Sequence, residues 1–209
     1  MIRKPAHILR ALGLALVVSA GSAHADGLAQ LKQFMDGTRT ARGTFSQQVY
    51  SKSGRKPQQA GGTLAFSRPG KFRWVYEKPD AQGLVGDGSK LWAYDQELNQ
   101  VTTKKLGQAL GSTPAAILAG DNSLDKNFVL KDAGSAEGLE WIEATPKAED
   151  SSFERIRMGF SGGQLKAMVL HDNFGQTTAL LFGQIERNPA LDAGQFRFVP
   201  PKGADVVGE

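Results

Sequence analysis

The chain has 209 residues, 40% of them hydrophobic, no cysteine and a formal net charge of +4. Without cysteine there are no disulfides, thiolate nucleophiles or soft metal ligands, so stability has to come from an ordinary apolar core. Three of the 25 basic residues and none of the 21 acidic ones fall in residues 1–25, so the remainder carries only +1; with no basic run interleaved with aromatics, a nucleic-acid partner is not expected.

Arg3, Lys4 and Arg10 precede an apolar run from Ala11 to Ala20, and Ala23-His24-Ala25 has the small-x-small pattern of a signal-peptidase site. A cleaved secretory signal over 1–25 is expected, with Asp26 as the first mature residue. The run is too short for a stable membrane anchor. Residues 26–209 then form one soluble domain, expected to be monomeric and large enough for a substantial core.

Asp26 to Arg39 predicts a helix with Leu28, Leu31, Phe34 and Met35 on one stripe and Gly37 as its stop. From Arg42 the period becomes two, with Phe45 and Val49 on one parity and Ser46, Gln48 and Tyr50 on the other; a polar connection follows from Ser51 to Gln59. Leu64, Phe66 and Arg68 then share one strand face, which places a guanidinium in line with apolar side chains. Pro69-Gly70 suits the middle of a type II turn. The returning strand points Phe72, Trp74 and Tyr76 one way and Lys71, Arg73 and Glu77 the other. Short strands at Gln82–Val85, Lys90–Tyr94 and Asn99–Lys104, with Asp87-Gly88 as a tight turn, complete a meander.

The pattern breaks at Leu106 and Leu110, which stand at i, i+4. Thr113-Pro114 reads as a cap with proline at the first helical position, and Ile117 and Leu118 precede Gly120. Such short apolar helical pieces suit a cover better than a core. Strands resume at Asn127–Asp132, Leu139–Thr145, Phe153–Phe160, Gln164–His171 and Gln176–Ile185, followed by a last short one at Gln195–Val199, after which Pro200-Pro201 ends regular pairing. About eleven antiparallel strands and two helical regions predict a mainly β fold, one strongly curved sheet or partly open barrel with helices on its concave side.

Chemistry has few candidates. His7 and His24 lie in the expected signal, leaving His171, and no phosphate-loop, dinucleotide or nucleophile-elbow motif is present. His171-Asp172 precedes Asn173-Phe174-Gly175 and reads as a strand-end turn, so neither catalysis nor a cofactor or metal is expected. The apolar face fits an ordinary core and a hydrophobic-ligand cavity equally well. Arg68 on that face needs acceptors, and backbone carbonyls at the ends of the short helices would serve, making a latch that can break.

Arg68-Pro69-Gly70-Lys71-Phe72-Arg73-Trp74-Val75-Tyr76-Glu77-Lys78-Pro79 resembles the signature hairpin of the LolA family of periplasmic lipoprotein carriers. Further matches are Gly43-Thr44-Phe45-Ser46-Gln47, Leu84-Val85-Gly86-Asp87-Gly88 with Leu91-Trp92, Thr113-Pro114 with Ile117-Leu118, Asp172-Asn173-Phe174-Gly175-Gln176, and Phe196 through Gly203. Their order and spacing carry the likeness across residues 26–207. The resemblance implies an unclosed antiparallel β-barrel with a helical lid over a hydrophobic cavity for acyl chains. It also implies a periplasmic carrier that takes outer-membrane lipoproteins from an inner-membrane ABC transporter and passes them to the outer-membrane receptor lipoprotein LolB. The receptor shares the fold, but a chain with no cysteine to acylate points to the carrier.

The family's latch arginine matches Arg68, its aromatic pair Phe72 and Trp74, and its lid positions Ile117 and Leu118. With the parities above, the expected cavity wall or rim comprises Phe45, Val49, Leu64, Phe66, Phe72, Trp74, Tyr76, Trp92 and Met168. The expected lid face comprises Leu28, Leu31, Phe34, Leu106, Leu110, Ile117 and Leu118. Ala115-Ala116 departs from the family, some members carrying bulkier residues there. A lipid-sensing or protein-interaction module of the same shape is the alternative reading.

Overall fold

A computed structural model describes residues 26–79, 81–109, 113–121 and 124–208. The expected signal sequence and Leu110 lie outside the described residues. Helix α1 (Gly27–Gly37) starts where the Asp26 carboxylate accepts from the Ala29 N–H at 2.7 Å, and it buries Leu31, Phe34 and Met35. Six strands follow: β1 (Thr40–Tyr50), β2 (Gln58–Ser67), β3 (Lys71–Lys78), β4 (Gln82–Asp87), β5 (Lys90–Asp95) and β6 (Gln100–Lys105). Three short helices interrupt them, α2 (Leu106–Ala109), α3 (Pro114–Ala119) and α4 (Leu124–Asn127). The second run is β7 (Phe128–Ala136), β8 (Leu139–Pro146), β9 (Phe153–Ser161), β10 (Gln164–Asp172), β11 (Thr177–Phe182) and the two-residue β12 (Glu186–Arg187). A 3-10 turn at Ala193–Phe196 and β13 (Asp205–Gly208) complete the chain.

All strands join one sheet in the order β13-β6-β5-β4-β3-β2-β1-β11-β10-β9-β8-β7, with β12 paired to the start of β1. Its terminal strands β13 and β7 do not pair, so the fold is an unclosed, curved β-sheet with a few short helices. The β1–β11 ladder, from Phe45↔Phe182 to Tyr50↔Thr177, splices the two meanders together. Strand parity sends Phe45, Leu64, Phe72 and Trp74 from the first meander to the concave side, where they meet Ile156, Met158, Phe160, Met168 and Leu180 from the second. Helix α1 packs over β7 to β10 and α3 over β2 and β3. Among the described residues no helix is long and apolar enough to cross a membrane.

Two expectations are corrected at the C-terminal end. Gln195–Val199 is not a strand. Asp192 Oδ1 accepts from the Gly194 N–H at 2.9 Å and caps the 3-10 turn, Phe196 is buried, and the Phe198 ring lies 5.6 Å from that of Trp92 and 6.0 Å from that of Tyr94. The alternating aromatics that suggest a strand therefore anchor the segment through side chains, without a backbone ladder. Pairing also resumes beyond Pro200-Pro201, where β13 runs parallel to β6 from Asp205↔Gln100.

Trp92 is the other correction. Its neighbour Leu91 joins the concave core, so the alternation of β5 turns Trp92 to the convex face, opposite Val85 and beneath Phe198. Apolar residues occupy both parities of Leu91-Trp92-Ala93-Tyr94 because both faces of this strand are covered, one by the core and one by the C-terminal segment.

Asp87 fixes this convex layer. Its Oδ2 accepts from Trp92 Nε1 at 2.8 Å, and its Oδ1 accepts from the Ser89 N–H, the Ser89 hydroxyl and the Lys90 N–H, each at 2.8 Å. Burial pushes the carboxyl up, but the Trp92 indole and the Lys90 and Ser89 donors together outweigh it and hold Asp87 down at about 2. A carboxylate depressed on folding contributes fully above its unfolded value of about 4 and loses that contribution as pH falls through its folded value. Chemical denaturation between pH 4 and 2 will therefore show the wild type losing stability more steeply than Asp87→Asn; parallel slopes would mean that this carboxylate is not a stabilising acid.

Candidate functional site

The concave parity of Leu64 and Phe66 carries Arg68 to the end of β2, over the C-termini of two helices. Its Nη1 donates to the Met35 carbonyl at 3.0 Å and the Thr38 carbonyl at 2.7 Å, both at the end of α1, while Nε donates to the Leu118 carbonyl of α3 at 2.9 Å. Nη2 reaches Met35 Sδ at 3.1 Å. The guanidinium lies 5.3 Å from the Phe34 ring centroid and 5.0 Å from that of Phe66, and among the described residues no carboxylate is one of its hydrogen-bond partners.

Helix C-termini expose unpaired carbonyls and carry partial negative charge. Helix α1 has no basic residue in its last turn, so its cations come from elsewhere in the chain. Arg187 is the second. It donates from Nε to Thr38 Oγ1 at 2.8 Å and sits 5.8 Å from the Phe34 ring. Asn188 completes the clamp, donating to the Gly37 carbonyl and accepting from the Arg39 N–H, both at 2.8 Å. Burial, helped by the charge on Arg187, pushes the Arg68 guanidinium down to about 10, which leaves it charged at neutral pH.

The turn beyond Arg68 also bonds to the end of α3. The Arg68–Pro69 peptide is cis and Gly70 has φ +74°. From that position the Gly70 N–H donates to the Ala119 carbonyl at 2.7 Å, satisfying another carbonyl at the end of α3. A Cβ on Gly70 would come within 2.7 Å of Leu106 Cδ2, so glycine also permits α2 to close against the turn.

Below the latch, the expected wall and the expected lid are in contact. Phe45 and Trp74 ring centroids are 4.3 Å apart, Tyr76 meets Phe45 edge-on at 5.3 Å, and Phe182 meets Trp74 edge-on at 6.3 Å. Leu64, Phe66, Phe72 and Met168 are buried in the same cluster as Leu31, Phe34, Leu106, Ile117 and Leu118, with Leu28 partly buried against it. Lid side chains thus fill the space in which the sequence suggests a cavity.

Among the hollows at its margins, two are lined in part by expected wall or lid residues. One, of about 290 Å³, lies between α1 and α4 and is lined by Leu28, Leu31, Met35, Leu124 and Leu130, with the Lys32–Asp36 ion pair at its rim. The other, of about 430 Å³, lies at the barrel end remote from Arg68 and is lined by Val49, Tyr76, Pro79 and the amides of Gln47, Gln58, Gln59 and Gln82. Val49 and Tyr76 are therefore at a rim, whereas Trp92 faces away from the interior altogether. A further hollow of about 610 Å³ is on the convex face, among Arg42, Thr63, Arg73, Glu186 and Gln195.

His171 and Asp172 are occupied with turn geometry. His171 Nδ1 is 2.9 Å from Thr177 Oγ1, and Asp172 Oδ1 accepts from the Phe174 N–H at 2.9 Å and the Gln176 N–H at 2.8 Å. Sequence reasoning anticipates that Arg68 needs carbonyl acceptors but, placing them only on the short helices after Leu106, misses two of the three, Met35 and Thr38 at the end of α1. It also misses Arg187 and Asn188, because a two-residue strand has no periodicity to read.

A sequence model of the family described as outer membrane lipoprotein carrier protein LolA matches residues 36–199. The chain is 62% identical over 187 residues to the outer-membrane lipoprotein carrier protein of Dechloromonas aromatica, with 90% of each chain covered. It is 49% identical to the protein of the same name from Nitrosospira multiformis, over 94% of this chain and 95% of the relative. Among solved structures, an uncharacterized conserved protein from Thermus thermophilus shares the fold at a TM-score of 0.53, with 13% identity over 87% of this chain and 96% of that one.

Replacing Arg68 with leucine leaves the carbonyls of Met35, Thr38 and Leu118 without this donor. Hydrogen bonds to a charged group are worth about 1.5–3 kcal/mol each, so the lid of Arg68→Leu will open more readily. Hydrogen exchange of α3 and of the C-terminal half of α1 will be at least roughly tenfold faster, at unchanged protection in β8 to β10. Equal lid exchange in the two proteins would rule out the latch.

Proposed function

The chain belongs to the LolA family of outer-membrane lipoprotein carriers, and from that premise we propose that it shields the acyl chains of lipoproteins in transit across the periplasm. Its donor is an inner-membrane lipoprotein-releasing ABC transporter and its acceptor the outer-membrane receptor lipoprotein LolB. The observation that carries this reading is an aromatic interior filled by lid helices whose C-termini are pinned by hydrogen bonds from Arg68.

Each methylene of an acyl chain costs about 0.8 kcal/mol to expose to water, roughly a dozen kcal/mol for a sixteen-carbon chain, so acylated cargo does not leave a membrane unaided. A carrier has to replace that burial without exceeding what the receptor offers. An interior already filled by Leu31, Phe34, Ile117 and Leu118 meets this requirement, since entering chains take the place of side chains that must be displaced. The cost of exposing the lid and releasing Arg68 offsets part of the gain from burying the cargo, which keeps loading reversible. Arg68 in this scheme favours the empty, closed state and so assists unloading. No bond is made or broken, and the arrangement requires neither a nucleophile nor a cofactor.

Native mass spectrometry of the protein recovered from periplasm, together with its incubation with spheroplasts, tests the reading. Bound acylated lipoprotein, and withdrawal of lipoproteins from the spheroplast membrane, are the expected results. A protein that is recovered empty and withdraws nothing would overturn the carrier reading.

A further inference from the structure

Three tryptophans are present, and their indole N–H groups differ in one respect. Trp92 Nε1 donates to Asp87 Oδ2 at 2.8 Å and Trp141 Nε1 donates to the Ala136 carbonyl at 3.1 Å, both on the convex side. Trp74 Nε1, on a side chain only 2% exposed in the concave interior, is buried and has no hydrogen-bond partner among the described residues. The Tyr76 hydroxyl is close enough for the indole to offset part of the upward push that burial gives the phenol. Its geometry does not complete a bond to Nε1, and the hydroxyl itself donates to Gln47 Oε1 at 3.2 Å.

A buried donor without an acceptor is costly, and phenylalanine would fill the same stacked position between Phe45 and Phe182 without that cost. The ring explains the packing; the N–H is surplus to it. On the carrier reading, on which this inference rests, the interior receives acyl chains, whose methylenes offer no acceptor. The first acceptor met along such a chain from its tail is the carbonyl that joins it to the head group. We infer that the Trp74 Nε1–H is a donor held in reserve for an ester carbonyl of the cargo lipid, so that Trp74 recognises an acyl group as distinct from a plain hydrocarbon chain.

The position suits that role. Trp74 is one strand repeat inward from Tyr76, which with Gln47 lines the hollow at the barrel end remote from Arg68. A carbonyl at the level of Trp74 would place the polar head group near the Tyr76–Gln47 rim and the methylenes among the aromatic side chains. The hydrogen bond would also set how deeply the chains are drawn in.

The test uses two synthetic lipopeptides with a free N-terminus and equal chain lengths, one with its chains joined to a glyceryl-cysteine through esters and the other through ethers. The wild-type protein is expected to bind the diester about three- to tenfold more tightly, the range for one hydrogen bond. Trp74→Phe is expected to lose that preference. In nitrogen-15 spectra the Trp74 indole signal, assigned by its disappearance in Trp74→Phe, will move downfield with the diester alone, while those of Trp92 and Trp141 serve as controls. Equal wild-type affinities for the two probes, or an undiminished preference in Trp74→Phe, would overturn the assignment while leaving the carrier reading in place. Failure to bind either probe would overturn both. Should Trp74→Phe not fold, the same signal is assigned by elimination from Trp92→Phe and Trp141→Phe, and the diester-specific shift decides.

Discussion

One guanidinium joins three parts of the chain that are far apart in sequence. A strand end supplies the cation, and the C-termini of α1 and α3 supply carbonyls that neither helix can satisfy internally. Arginine suits this position because its fork offers several donors in fixed directions, whereas lysine would bring a single point charge. The hydrogen-bond partners of Arg68 among the described residues are carbonyls and a thioether. Carbonyl partners divide the interaction with the cation among several charge-assisted hydrogen bonds.

The rest of the interior follows from that arrangement. Because Arg68 bonds to helix ends, the helices are free to present Leu31, Phe34, Ile117 and Leu118 to the sheet, and the sheet supplies an aromatic surface to receive them. The closed protein therefore has a filled core, as stability requires of a chain without disulfides. On the proposed reading, binding exchanges one apolar filling for another. Among the described residues, Trp74 carries a buried side-chain donor in this region whose bonding the protein leaves incomplete.

Much of this was legible in the sequence where two signals conflicted or coincided. Arg68 was readable because its parity with Leu64 and Phe66 set a charge on an apolar face, which forces a search for acceptors. The meanders were readable from alternation and from turn pairs such as Asp87-Gly88. What could not be read had physical causes as well. Trp92 lies in a strand covered on both faces, where alternation carries no information. Phe196 and Phe198 alternate like a strand because they are anchors for a strap. Lid and wall side chains are chemically alike, so composition does not say whether they enclose a space or fill it. Arg187 and Asn188 act through long-range contacts to Thr38 and Gly37 that no local pattern announces.

The route of the chain between its two meanders has a mechanical consequence. The segment containing α2, α3 and α4 leaves the sheet at β6, beside one margin, and returns at β7, which is the other. A cord fixed at one margin of an open cylinder and one strand in from the other acts as a drawstring. Pulling it inward or letting it out alters the girth of the cylinder, so the volume available inside and the position of its cover are a single coordinate rather than two.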